Sequence, residues 1–171
     1  DAEEHFCAVN KQGLPVALDY QVVPLGATVA ACRRRRLALD AGAHVGLHTL
    51  RFAALFGRVL AFEPHPETFA CLEHNTALCP NVTCRRAALG DIDGCMGFDL
   101  AAKANSGDRC VLVDGADVKI QTIDSLQLVD LDLLKVDVQG YEYRLFQGAL
   151  ATLQRCRPAV WFEEEEPAKV A

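Results

Sequence analysis

From about residue 37 the chain alternates short apolar runs with stretches whose apolar positions recur at helical spacing. That alternation is the pattern of strand–helix–strand units wound on a mainly parallel sheet. Leu37-Ala38-Leu39 reads as a short buried strand ending at Asp40, followed by a glycine-containing loop and a helix in which Leu47, Leu50 and Ala54 share a face, stopped by Gly57. Val59 to Phe62 reads as a second strand ending at Glu63-Pro64. Pro66 suits the first turn of the next helix, whose Phe69, Leu72 and Thr76 align. Asn81 to Arg86 is a third predicted strand leading into Ala87 to Asp91.

Between Asp91 and Asp117 the pattern weakens and Gly94, Gly97, Gly107 and Gly115 punctuate it, as in a binding loop. Val118 to Thr122 alternates like an edge strand. Leu131 to Val138, a near-continuous apolar run broken by Asp132, Lys135 and Asp137, reads as a central strand. The helix after it carries Phe146, Ala149, Leu150 and Leu153 on one face, with a bend expected at Gly148. Pro158 opens a last strand, Ala159 to Phe162, and Leu14 to Val23 is a strand-like run in an N-terminal capping segment, 1–30.

The elements together predict an α/β fold: a three-layer, doubly wound, mainly parallel sheet within a single domain, 1–171. The length fits one domain, and the hydrophobic (51%) and charged (23%) fractions are those of a globular protein. No apolar run approaches the roughly 20 residues that span a bilayer, and no signal-peptide pattern opens the chain, so a cytoplasmic setting without a membrane partner is expected. The eight cysteines include no C-x-x-C pair and no zinc-ligand spacing, and read as reduced thiols in an apolar setting; no metal site is expected. A net charge of -6 argues against a nucleic-acid partner held through phosphates. The basic run Arg33 to Arg36 and the acidic run Glu163 to Glu166 read as solvated segments flanking strands.

In an open α/β sheet, ligands bind beyond the carboxyl ends of the strands, where the topology switches direction. The residues at those ends are Asp40, Glu63, the Ala87–Asp91 segment, Asp137 and Glu163. Gly42 and Gly46 bracket the first loop, where a missing side chain lets backbone approach a ligand and the following helix N-terminus offers N–H groups to a carboxylate. A dinucleotide fingerprint needs G-x-G-x-x-G, but with Gly42 first the other two positions are His44 and Leu47. No G-x-x-x-x-G-K-[ST] exists either. D-x-G-x-x-x-G is the form associated with S-adenosylmethionine, and Glu63, 21 residues after Gly42, stands where a carboxylate accepts hydrogen bonds from ribose hydroxyls.

Several segments, in order and spacing, resemble the FkbM-type S-adenosylmethionine-dependent methyltransferase family: Leu39 to Gly46, Ala61 to Pro66, Ala87 to Asp91, Thr122 to Asp124, Leu134 to Gly140 and Gly148-Ala149, within a core of 37–163. The resemblance implies a Rossmann-like class I methyltransferase fold, S-adenosylmethionine as cofactor, and O-methylation of a hydroxyl on a small molecule or sugar. It places Asp40, Gly42 and Gly46 around the methionine moiety, Glu63 on the ribose, Ala88 beside the adenine with Asp91 toward its amino group, and Asp137 beside the reactive methyl, and it counts Ala43, His44 and Pro64 among the cofactor-binding residues. His44 stands where Asn is usual and Gln139 where Glu is common; the second removes a carboxylate and argues against metal assistance. The family's closing antiparallel hairpin is expected to be missing from this chain.

Asp137 is the first candidate for the base or orienting group that acts on a substrate hydroxyl, or for a carboxylate that steadies the positive cofactor. His44 and His65 are secondary base candidates, and Lys135 faces the same side of its strand as Asp137. Asn105-Ser106-Gly107 reads either as a border of an acceptor pocket or as a simple turn; Tyr141, Tyr143 and Trp161 flank the same sheet edge, where shaping a substrate pocket and packing explain them equally, so they are given no site role. The expected acceptor is a small molecule or glycan. A methyltransferase of RNA or protein, or a cofactor-binding module without catalysis, are the alternatives.

Overall fold

A computed structural model describes residues 22–96 and 118–162 of the chain. The Leu14–Val23 run, for all but its last two residues, the Asn105-Ser106-Gly107 turn and the Glu163–Glu166 run lie outside the described residues.

Five parallel strands form the main sheet: β1 (Leu37–Ala41), β2 (Arg58–Phe62), β3 (Val82–Arg85), β7 (Leu131–Val136) and β8 (Ala159–Phe162), in the order β3-β2-β1-β7-β8. The chain steps outward from β1 to β3, then returns to lay β7 on the other side of β1. The switch point therefore falls between β1 and β7, whose carboxyl ends carry the Gly42 loop and Asp137.

Strand alternation splits the core in two. Leu37, Leu39 and Ala41 of β1, with Leu134 and Val136 of β7, face a layer that includes Leu145, Ala149 and Ile123. Ala38, Val59 and Leu133 face the opposite layer, where Leu25 and Val29 of helix α1 (Val22–Ala31) and Phe52 and Phe56 of helix α2 (Leu47–Leu55) and its end pack. Helices thus cover both faces, as the predicted three-layer architecture requires. Every residue of β1 is buried, which suits a strand sandwiched between layers rather than one with a wet face. A register shift between Leu37 and Ala38 opposite Asp132 lets Leu131 and Leu133 serve opposite layers.

Helix α3 (Pro66–Thr76) starts with proline in its first turn and buries Leu72 and Thr76, with Phe69 packed alongside, as its periodicity predicts. Three expectations need correcting. The buried face of α2 is His48, Thr49 and Phe52, not Leu47, Leu50 and Ala54: Ala54 is exposed, and the aromatic run His48, Phe52, Phe56 takes the sheet side, with Trp161 against His48. Val118–Gln121 (β6) is not an edge strand but the middle of a separate three-stranded sheet, β4 (Ala88–Leu89), β6, β5 (Gly94–Met96); both its sides are paired, so the alternation marked one buried face, not an edge.

The helix after β7 is broken into α4 (Glu142–Gln147) and α5 (Leu150–Cys156), and Leu150 lies 57% exposed outside the apolar face that keeps Ala149 and Leu153. The break lies at Gly148, where a Cβ would collide with the carbonyl oxygen of Gly90.

Arg33 to Arg36 are exposed, as expected of a flanking run. Arg36 is committed to the bulge: its Nε and Nη2 donate to Asp132 at 3.0 and 2.7 Å, and its backbone N–H adds a third bond at 2.8 Å. Among the described residues the cysteines Cys32, Cys71, Cys79, Cys84, Cys95 and Cys156 are free thiols, and no helix is long and apolar enough to cross a membrane.

Candidate active site

A cavity of about 590 Å³, including its open mouth, lies at the switch point. Main chain and apolar side chains form one wall (Gly42, Phe62, Glu63, Pro64, Ala87, Ala88, Leu89), and the segment after β7 forms the other (Asp137, Val138, Gln139, Tyr141). Four segments distant in sequence meet there because parallel strands end together.

The Gly42 loop is fixed from within. The N–H groups of Gly42 and Ala43 both donate to the Phe62 carbonyl, at 3.0 and 2.9 Å, and that of Gly46 donates to Ala43 at 2.9 Å. The first two donors bind the loop to β2 and the third closes it on itself, so none stands free for a ligand carboxylate. Gly42 has φ +73°, and a Cβ there would collide with the carbonyl oxygen of Asp137. Only glycine lets the two walls come this close.

Glu63, at the carboxyl end of β2, is 7% exposed. Its Oε2 accepts from the His44 N–H and its Oε1 from the His65 N–H, both at 2.9 Å. Burial pushes the carboxyl up to about 7, outweighing the two backbone hydrogen bonds that favour its ionised form. A carboxylate has about four acceptor positions, so two remain for a ligand.

Asp40 is fully buried and lies off the cavity: Oδ2 accepts from Thr49 Oγ1 at 2.7 Å, and Oδ1 is 3.2 Å from Lys135 Nζ. Lys135, its register partner on β7, is 1% exposed and also donates to the Gly42 carbonyl at 2.7 Å. Burial alone would drive off the lysine's proton, but the Asp40 and Asp137 carboxylates outweigh it and keep the ammonium charged.

Asp137 lines the cavity between two donors, Gln139 Nε2 at 3.0 Å on Oδ1 and Lys135 Nζ at 3.5 Å on Oδ2. Gln139 and Gly140 both have positive φ (+56° and +89°), and Glu142 Oε1 accepts from the N–H groups of Val138 and Gly140 at 3.3 and 3.1 Å, pinning this turn to the start of α4.

Of the residues singled out from sequence, Gly42, Glu63, Pro64, Ala88 and Asp137 line the cavity. Asp40, Ala43, His44, Gly46 and Asp91 stand behind or beside it. His44 reaches it through its backbone N–H to Glu63, and Asp91 faces Arg144 Nη1 at 3.5 Å. His65 caps α3, accepting from Thr68.

Tyr141, given no site role from sequence, lines the cavity, with the Arg144 guanidinium 5.4 Å from its ring centroid. Its place just after Gly140, in the loop leaving β7, was the available signal. Ala87 and Leu89 belong to the strand-end segment singled out from sequence, whereas Phe62 and Val138 were missed because apolar residues at strand ends look like core. Tyr143 is 74% exposed and Trp161 packs in the α1–α2 layer. Among the described residues, no three His, Cys, Asp or Glu side chains are grouped to hold a metal ion.

A cavity with a nearly buried strand-end carboxylate thus lies at the sheet switch point, and comparison with known proteins decides the family. The family model of the methyltransferase FkbM domain matches residues 40–169. The chain belongs to the FkbM methyltransferase family. It is 31% identical over 122 residues to the hexuronic acid methyltransferase AglP of Haloferax volcanii, covering 67% of this chain and 50% of that protein. This FkbM chain thus spans about half the length of that curated relative.

Among solved structures it is similar in fold to the methyltransferase FkbM of Methylobacillus flagellatus KT (TM-score 0.55, 17% identity, covering 75% of this chain and 32% of that one). It is also similar in fold to precorrin 8W decarboxylase of Methanobacterium thermoautotrophicum (TM-score 0.50, 18% identity, 90% and 66% covered).

Proposed function

We propose that this FkbM domain binds S-adenosylmethionine in the switch-point cavity and transfers its methyl group to a hydroxyl of a sugar or sugar-containing small molecule. The observation that carries the reading is Glu63, a nearly buried strand-end carboxylate with one acceptor position of each oxygen filled by main chain. Buried acceptors left unfilled are costly, and two vicinal ribose hydroxyls fit two remaining positions. Phe62, Ala87 and Leu89 offer an apolar slot for a base, and Gly42 leaves the cavity floor without a side chain. Asp40 supports the site from behind rather than touching the ligand.

When bound, the cofactor supplies a sulfonium-activated methyl, so the protein's part is orientation and proton handling. Asp137 is the cavity carboxylate that meets an acceptor hydroxyl, either taking its proton or fixing its direction. Its two neighbouring donors hold it in one rotamer, which suits orientation. The name of the relative AglP supports a uronic acid or related glycan as acceptor. Arg36 of the basic run is engaged with Asp132.

Calorimetric titration with S-adenosylmethionine and S-adenosylhomocysteine tests the cofactor. Saturable one-site binding is expected, and a folded sample that takes up neither at millimolar concentration overturns the reading. Incubation with a panel of hexuronic acids and their glycosides, read by a mass gain of one methyl group, tests the acceptor class.

A further inference from the structure

Among the described residues Lys135 is the only buried lysine or arginine, and it is not part of the cavity wall. Its ammonium sits among three acceptors from three segments: Gly42 O at 2.7 Å, Asp40 Oδ1 at 3.2 Å and Asp137 Oδ2 at 3.5 Å. Burying a charge in a strand whose other buried residues are apolar is expensive, and an apolar side chain of similar length would pack there at lower cost. What that side chain would lose is the link across the switch point.

The Gly42 carbonyl belongs to one wall of the cavity and the Asp137 carboxylate to the other. The Asp137 backbone adds a second tie, its N–H donating to Ala41 O at 3.1 Å. We propose that Lys135 is a positioning residue: it locks the Gly42 turn and the Asp137 carboxylate in one arrangement, and Asp40 serves to hold the lysine rather than the cofactor. The inference rests on the reading of the cavity as the cofactor site.

Replacing Lys135 alone leaves two carboxylates facing each other without a cation, so Lys135→Met can fail to fold for a reason unrelated to the site. The double variant Lys135→Met/Asp40→Asn removes one cation and one anion together and keeps the cluster's net charge. It should fold, shown by circular dichroism and a cooperative thermal transition, yet bind S-adenosylhomocysteine about tenfold or more weakly than wild type, because the turn and the carboxylate are no longer held. It should weaken S-adenosylmethionine equally, since a purely electrostatic role would leave both affinities unchanged at constant net charge. Affinities within about twofold of wild type in a folded double variant overturn the proposal.

Should the double variant not fold, wild-type protein carrying isotope-labelled lysine decides. The buried ammonium should give a slowly exchanging resonance that shifts when S-adenosylhomocysteine is added, although the lysine does not touch the cavity. A resonance that stays put at saturation overturns the proposal. Wild type that binds neither nucleoside takes down the cofactor reading and this inference with it; wild type that binds while the variant or the resonance is unaffected takes down this inference alone.

Discussion

The two walls of the cavity are built by opposite means. On the Gly42–Glu63 wall, backbone holds backbone: the loop N–H groups close on Phe62 O, and Glu63 is fixed by two more N–H donors. On the Asp137–Tyr141 wall, side chains hold the shape. Gln139 and Lys135 flank the Asp137 carboxylate, Glu142 pins the turn, and two consecutive residues sit in left-handed backbone conformations. A wall made of main chain changes little when side chains are substituted, which suits an invariant ligand. A wall made of side chains is open to change by single substitutions, which suits the partner that varies between enzymes.

The largest effect comes from breaking the main-chain wall at its narrowest point. Gly42→Ala places a methyl group against the Asp137 carbonyl at a positive φ. Strain and overpacking together should cost about 3 kcal/mol, lowering Tm by roughly 10 °C. S-adenosylhomocysteine binding should become undetectable by calorimetry. Retained binding would mean that the two walls move apart freely.

Breaking the side-chain wall should act on turnover instead. Asp137→Asn keeps the shape and the Gln139 contact distance but removes the charge; methylation of a responsive hexuronic acceptor should fall roughly 100-fold or more, with S-adenosylhomocysteine affinity within about threefold of wild type, a margin worth less than 1 kcal/mol. Equal losses in both measurements would place Asp137 in cofactor binding alone.

The walls also differ in how pH reaches them, because Glu63 has its carboxyl raised to about 7 from an ordinary 4.5. A carboxyl raised on folding binds its proton more readily in the folded protein, so Glu63's contribution to folding stability is greatest below the ordinary value and is lost as pH rises from about 4.5 to 7. Nucleoside binding should run the other way: ribose hydroxyls donate to the ionised carboxylate, so affinity should rise by roughly tenfold or more as pH climbs from 5.5 to 7.5. Glu63→Gln should flatten both profiles. Calorimetry in two buffers of different ionisation enthalpy, at pH 6.5, should show proton release on binding; no release would separate Glu63 from the ligand.

Sequence revealed one wall better than the other, for a physical reason. Glycine, proline and a strand-end acid report backbone geometry directly, so Gly42, Glu63 and Pro64 were legible at their true places. Asp137 was legible because a carboxylate closing an apolar strand is out of pattern. Asp40 was legible as a strand-end acid but its partners were not: Thr49 and Lys135 lie 9 and 95 positions away, and only register brings Lys135 opposite it. Fold class and the face of α3 followed from the periodicities, whereas the face of α2 did not. His48 on the buried face of α2 is a polar-looking residue held between Phe52 and Trp161, and a hydrophobic count cannot see that. The small sheet was illegible because β4 and β5 are two and three residues long.

The smallest effect, and the sharpest on the side-chain wall, concerns Tyr141. It lines the cavity, its ring edge would stand 3.0 Å from a Cβ at Gly90, and the Arg144 guanidinium lies over the ring at 5.4 Å from its centroid. An aromatic ring beside Ala87, Ala88 and Leu89 should contribute by contact area with a base, about 1 kcal/mol. Tyr141→Ala should therefore weaken S-adenosylhomocysteine about fivefold, while Tyr141→Phe, which keeps the ring, should bind like wild type. If the Phe variant loses as much as the Ala variant, the hydroxyl is the group that matters and the wall recognises its ligand by hydrogen bonding. If neither loses affinity but acceptor KM rises in both, Tyr141 faces the acceptor, and the division between an invariant wall and a variable one runs through the β7–α4 turn as the side-chain construction of that turn suggests.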